Sequence, residues 1–250
     1  MAANMSDVPV LQVDRETVDA LLNQTAVGTA SKVRIAALVA ALPLIGLIRT
    51  STRLRLSVLS ALAAIALGSL AWTGHGAADE GLRGTIHLAA DITHLLAAGI
   101  WLGALAGLLI LLFRARSPHD EQRARIAIAH DALASFGNVG TLAVLLIILT
   151  GLLNSWALIG VENISALTNS LYGRLLVMKL ILFAGMLGLA ARNRFRLTPA
   201  IASGANSGSL ETAAAVRSIG RSVALETGLA LIILGLVAWL GTLSPPNSGM

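Results

Sequence analysis

An all-α membrane protein, a polytopic bundle of about six transmembrane helices, is the fold this sequence predicts, and three observations predict it. Apolar residues make up 56% of the 250 and charged residues only 12%, against roughly 45–50% and 25% in an ordinary soluble domain. Mean hydropathy is +0.79, and the apolar residues come in blocks separated by short basic loops. The alternation of a barrel strand is missing, which sets aside a β-barrel.

The elements follow in order. Residues 1–30 form an acidic N-terminal segment too polar for a secretory signal peptide, which needs a basic start and an apolar core. Residues 31–246 read as one transmembrane helical domain, and 247–250 as a tail. About 20 mostly apolar residues cross the hydrocarbon as a helix. By that criterion the spans are roughly 33–48, 54–74, 85–113, 136–159, 171–191 and 219–243. The first is short, with Lys32 and Arg34 at its start and Pro43 inside. Segment 118–135 has apolar positions at helical spacing among its charges and reads as an amphipathic lead into the fourth span, with His119 and His130 on a solvated turn. No internal repeat is visible, and the sequons at Asn23 and Asn163 match too common a pattern to carry weight.

Basic loops stay in the cytoplasm. Arg49, Arg53 and Arg55 follow the first span; Arg114, Arg116, Arg123 and Arg125 the third; Arg192, Arg194, Arg196, Arg217 and Arg221 the fifth. The opposite loops carry only Arg83 against Asp79, Glu80 and Glu162. Both termini are therefore expected on the outer, periplasmic side, with Lys32 and Arg34 as a minority vote against. The pI of about 10.9 then reports arginines facing anionic lipid, and no nucleic acid partner is needed.

Ionisable side chains inside the spans carry the functional signal. Each costs about 2.5–3.5 kcal/mol on insertion scales, so such groups face a bundle interior or a wet cavity. His87, Asp91 and His94 are spaced four and three apart on the third span, and Trp101 lies seven further on, all on one helical stripe. Lys179 is expected roughly 12 Å below the outer loop and Glu226 near mid-membrane, from a rise of about 1.5 Å per residue. Asn154 belongs to the outer half of the fourth span. His75 lies in the outer loop "WTGHGAADEG". Each has a bland alternative: His87 at the interface, Lys179 snorkelling outward, or Asp91 locked to Lys179.

With no cysteine there is no disulfide framework, and a soft metal must be held by imidazole or thioether. Neutral imidazole suits copper, and thioether favours the reduced ion; Met178 and Met186 are candidate thioethers, though packing explains them as well. One ion cannot take both His87 and His94 from a straight helix, because seven residues separate them by roughly 10 Å. Stepwise transfer fits better: His75 receives the ion, His87 and His94 relay it, and Asp91, Lys179 and Glu226 set the charge, a protonatable trio that would also permit proton coupling.

The run "GHGAADEGLRGTIHLAADITHLLAAGIWLGAL", followed by "TGLLNSWALIG", "SLYGRLLVMKLILF" and "RSVALETGLALIILGLVAWLGTLSPP", resembles the membrane domain of the copper resistance protein D (CopD) family. The likeness keeps order and spacing over about residues 17–246. The opening "VDALLNQTAVGTASKVRIAAL" is similar to the stretch before an internal helix of longer members, so two helices preceding it there are expected to be lacking. The resemblance implies a bacterial inner-membrane protein that moves copper, as Cu⁺ or Cu²⁺, between periplasm and cytoplasm beside a periplasmic copper-binding partner. His75, His87, Asp91, His94, Tyr172, Gly173, Lys179 and Glu226 fall on family motif positions. Asn154, Trp101 and Tyr172 are expected to support the ligands.

The expected function is copper uptake from the outer side and transport across the bilayer. One alternative is a b-type haem or quinone-linked electron carrier; another is a non-transporting subunit that anchors a periplasmic partner. Gly99, Gly103 and Gly107 are compatible with close helix contacts, including those of a homo-oligomer. No nucleotide-binding glycine loop, cysteine nucleophile or aspartyl-phosphate motif is present, so an enzyme is not expected.

Overall fold

A computed structural model describes residues 14–46, 51–74, 81–113, 119–160, 165–199 and 210–243. All of their regular structure is helical: α1 (Arg15–Gln24), α2 (Ala26–Gly46), α3 (Thr52–Gly68) with a 3-10 continuation Ser69–Thr73, α4 (Gly81–Phe113), α5 (His119–Ile159), α6 (Ala166–Asn169), α7 (Leu171–Arg192) with a π-helical continuation Asn193–Leu197, and α8 (Leu210–Leu240). Among the described residues six helices are long and apolar enough to cross a membrane. Between 17 and 22% of each apolar window is buried inside the protein. The remainder is half-buried or exposed, as in helices whose solvent is lipid and whose backbone must be satisfied internally.

The first span differs from expectation. It begins at Ala26, seven residues earlier than the apolar run suggests, because Thr25 punctuates the chain. Thr25 is extended; its hydroxyl donates to the Leu21 carbonyl at 2.6 Å and accepts from the Gly28 N–H at 3.0 Å. It thus closes α1 and opens α2. Asp14 caps the other end of α1, accepting from the Thr17 N–H at 2.6 Å. Pro43 falls in the last turn of α2, where the loss of one backbone donor is tolerated. The amphipathic lead His119–Ser135 runs unbroken into the fourth span as one 41-residue helix. Gly160, with φ +71, ends that helix, and its N–H returns to the Trp156 carbonyl at 2.8 Å. This is the left-handed exit that glycine makes without steric penalty.

The chain divides into two compact units, Met1–Leu96 and Ala97–Met250. In the first, α1 and α2 approach so closely at Gly28 that a Cβ there would overlap the Leu21 and Leu22 carbonyl oxygens. In the same unit α2 packs on α3 and its 3-10 continuation. In the second, Trp101, Leu105 and Leu108 of α4, Ile147 of α5, Met186 of α7, and Ile219, Val223 and Ala230 of α8 form the main core. Tyr172, Leu175, Leu236 and Leu240 form another where α7 begins.

Candidate functional site

The stripe expected on the third span is the buried face of α4. His87 is 5% exposed and Trp101 5%, with Ala90, Ala97, Leu105 and Leu108 buried on the same side. Asp91 and His94 on this stripe are half-buried. Leu82, Ile86, Ile100 and Ile110 on the opposite side are more than half exposed. The helix therefore turns its imidazoles and carboxylate inward and its branched aliphatics to lipid, the arrangement that lowers the cost of intramembrane polar groups.

In the first unit Asp91 and Ile92 of α4 lie beside the end of the second span. A Cβ on Gly68 would lie 3.6 Å from Cγ2 of Ile92, and one on Gly74 would lie 3.7 Å from Oδ2 of Asp91. The chain thus leaves its 3-10 turn beside the Asp91 carboxylate, and the next residue is His75, which lies outside the described residues. Close by in sequence, Ser69 is buried and holds Arg34: Nε of Arg34 donates to Oγ at 3.0 Å and Nη2 to the carbonyl at 3.1 Å. Arg34, read from sequence as a contrary topology signal, is bonded to the C-terminal end of a helix, where the backbone dipole favours a cation. Lys32 reaches back to Oδ1 of Asn23 at 3.0 Å, and Asn23 donates to Asp19 at 2.7 Å.

In the second unit the polar centre is Glu226, only 2% exposed. Its Oε1 accepts from Nδ2 of Asn193 at 2.5 Å and from the Ser222 hydroxyl at 3.4 Å. Asn193 opens the π-helical stretch at the end of α7; such stretches re-aim side chains and recur at functional sites. The neighbouring Arg194 donates to the Gly137 carbonyl and the Thr141 hydroxyl, tying α7 to α5. These groups border a cavity of about 610 Å³ lined by Trp101, Leu105, Leu108, Thr141, Val144, Leu187, Asn193, Arg194, Val223 and Glu226, among others.

Sequence reasoning missed Asn193, Arg194 and Ser222 as site residues. The signal was an asparagine inside "ARNRFR", read only for its arginines, and a serine one helical turn before the glutamate. Lys179 is half-buried on α7, fourteen residues before Asn193, so about 21 Å of helix separates it from the residue that holds Glu226. Tyr172 is buried in the apolar cluster at the start of α7. Asn154 is half-buried with Oδ1 enclosed. Of the candidate thioethers, Met186 is a core residue and Met178 is half exposed. Among the described residues no three His, Asp or Glu side chains form a group able to hold a metal ion.

Comparison with known proteins agrees with this architecture. Residues 130–240 match the family model described as Copper resistance protein D, and residues 1–85 match Copper resistance protein D-like, N-terminal domain. Copper resistance protein D of Pseudomonas syringae pv. tomato is 43% identical over 225 residues, 90% of this chain and 71% of the relative. Copper transport protein CutJ of Bacillus subtilis (strain 168) is 33% identical over 48% of this chain and 21% of its own length. Inner membrane protein YebZ of Escherichia coli (strain K12) is 30% identical over 70% of this chain and 55% of its own length. No solved structure matches the chain.

Proposed function

The chain belongs to the copper resistance protein D family, and from that premise we propose that it takes up copper at the periplasmic face of the bacterial inner membrane and carries it across. The observation that supports this most is the buried face of α4. It offers His87 and His94 as imidazole ligands and Asp91 as the carboxylate that offsets the charge of the ion. The close approach of Gly74 to Asp91 makes His75 the natural entry ligand, arriving from the loop.

His87 and His94 lie roughly 10 Å apart along one helix, so the copper passes from one imidazole to the next and is not shared between them. A periplasmic copper-binding protein is the partner that delivers the ion. Its relatives are named for copper resistance and copper transport, and no catalysed reaction is proposed for this chain.

The test replaces both His87 and His94 with alanine. Cells carrying the double variant are expected to accumulate no more copper than cells without the protein, and the purified variant to hold less copper after loading than the unaltered protein. Unchanged accumulation would remove the transport reading. A Soret band in the visible spectrum of the unaltered protein would replace copper with haem.

A further inference from the structure

We infer that the cavity of the second unit is a water-filled access path and that Glu226 exchanges a proton through it. This goes beyond the copper reading and does not depend on it. Three features support the inference. The carboxylate is almost completely buried on α8, and a buried carboxylate inside a membrane bundle is expensive unless it serves a pathway or a relay. It nevertheless borders the cavity, and Asn138 and Phe195 in the same lining are exposed, so the cavity runs from the surface to the carboxyl group. Two further buried polar atoms in the lining, Nε1 of Trp101 and Oδ1 of Asn193, have no hydrogen-bond partner among the described residues. One is a donor and the other an acceptor, and a short file of water molecules satisfies both.

The chemistry of the pocket selects a proton over a metal ion. Asn193 and Ser222 both point hydrogens at Oε1, which is how a carboxyl group is held and not how a cation is caged. A hard metal ion takes six or more oxygens as a rule, and Asn193 turns its amide N–H, not its oxygen, to the carboxylate. Among the described lining residues there is no imidazole or thioether, so copper is disfavoured as well.

Among the described residues the charged side chains of the lining are Glu226 and Arg194; those of α4, α5, α7 and α8 otherwise present apolar or neutral polar groups. Arg194 is occupied by Gly137 and Thr141. Gly137 begins the fourth span and Arg194 follows α7, so the cavity opens at the end of the second unit where the fourth span starts and the fifth finishes. By the distribution of arginines that end is cytoplasmic.

Two measurements on the full-length protein in membranes test this. Dicyclohexylcarbodiimide adds the O–H of a protonated carboxyl across its C=N bond. Labelling is expected at Glu226, falling as pH rises and absent in Glu226→Gln, which keeps the shape and the hydrogen bonds of the pocket. Labelling that is absent in the unaltered protein, or that persists in Glu226→Gln, would overturn the proton site. The chain has no cysteine, so Ala190→Cys in the lining reports on water independently of the glutamate. Rapid modification by a charged, water-soluble thiol reagent from one side of the membrane is expected. Modification only by an apolar maleimide would mean that lipid fills the cavity, and would refute the access path.

Discussion

The guanidinium of Arg34 grips Ser69 through two hydrogen bonds, one to the hydroxyl and one to the carbonyl. It joins the first membrane span to the last turn of the second, directly before the loop that carries His75. Hydrogen bonds from a charged donor contribute about 1.5–3 kcal/mol, and the helix C-terminus adds to the attraction. Arg34→Ala is therefore expected to lower unfolding stability by about 2 kcal/mol, measured by thermal unfolding in detergent. Arg34→Lys should recover only part of that, since an ammonium group lacks the planar fork.

Gly28 permits the approach of α1 to α2. A methyl group there meets two backbone carbonyl oxygens, which cannot move aside as a flexible side chain can. Gly28→Ala should destabilise the protein by about 1–3 kcal/mol, as overpacking does, and expose the α1 segment to protease. Limited proteolysis of membrane vesicles reads the second effect directly.

The cap on α1 makes its stability depend on pH. The Thr17 backbone N–H and, after it, the Thr17 hydroxyl hold the Asp14 carboxyl below its ordinary value. A lowered value in the folded state means that the stabilisation is fully present above the unfolded value and is lost as pH falls through the folded one. Amide exchange over residues 15–24 should stay slow into mildly acidic solution and quicken only below the usual carboxylate range. Asp14→Asn, a comparable cap without the charge, should show no such transition.

Topology is testable because every introduced cysteine would be unique in the chain. Single cysteines in the 75–80 and 160–165 connections should react with impermeant thiol reagents added to the periplasmic side. Those in the 47–50, 114–118 and 200–209 connections should react only after the membrane is opened. The reverse pattern would place the cavity mouth of the second unit in the periplasm and the His87 end of α4 in the cytoplasm.

How much of this was legible in the sequence depended on the range of the interaction. Five of the six spans were readable to within a few residues, because hydrocarbon rewards each apolar side chain independently of its neighbours. The first was misplaced at its start because Thr25 ends one helix and begins the next through its own hydroxyl, a local device without a hydropathy signature. The buried stripe of α4 was readable because helical periodicity carries it. Asn193 was not: its inward turn depends on a π-helical stretch, and its partner stands 33 residues away on another helix.

Composition and periodicity alone thus established a helical membrane bundle and turned His87, Asp91 and His94 to one face, since both follow from the solvent and the helix repeat. Tertiary structure decided which groups meet: Arg34 with Ser69, Gly74 with Asp91, and Asn193 with Glu226 beside a cavity. Those pairings rest on backbone approach and hydrogen-bond direction, which act between distant parts of the chain and leave no periodic trace in it.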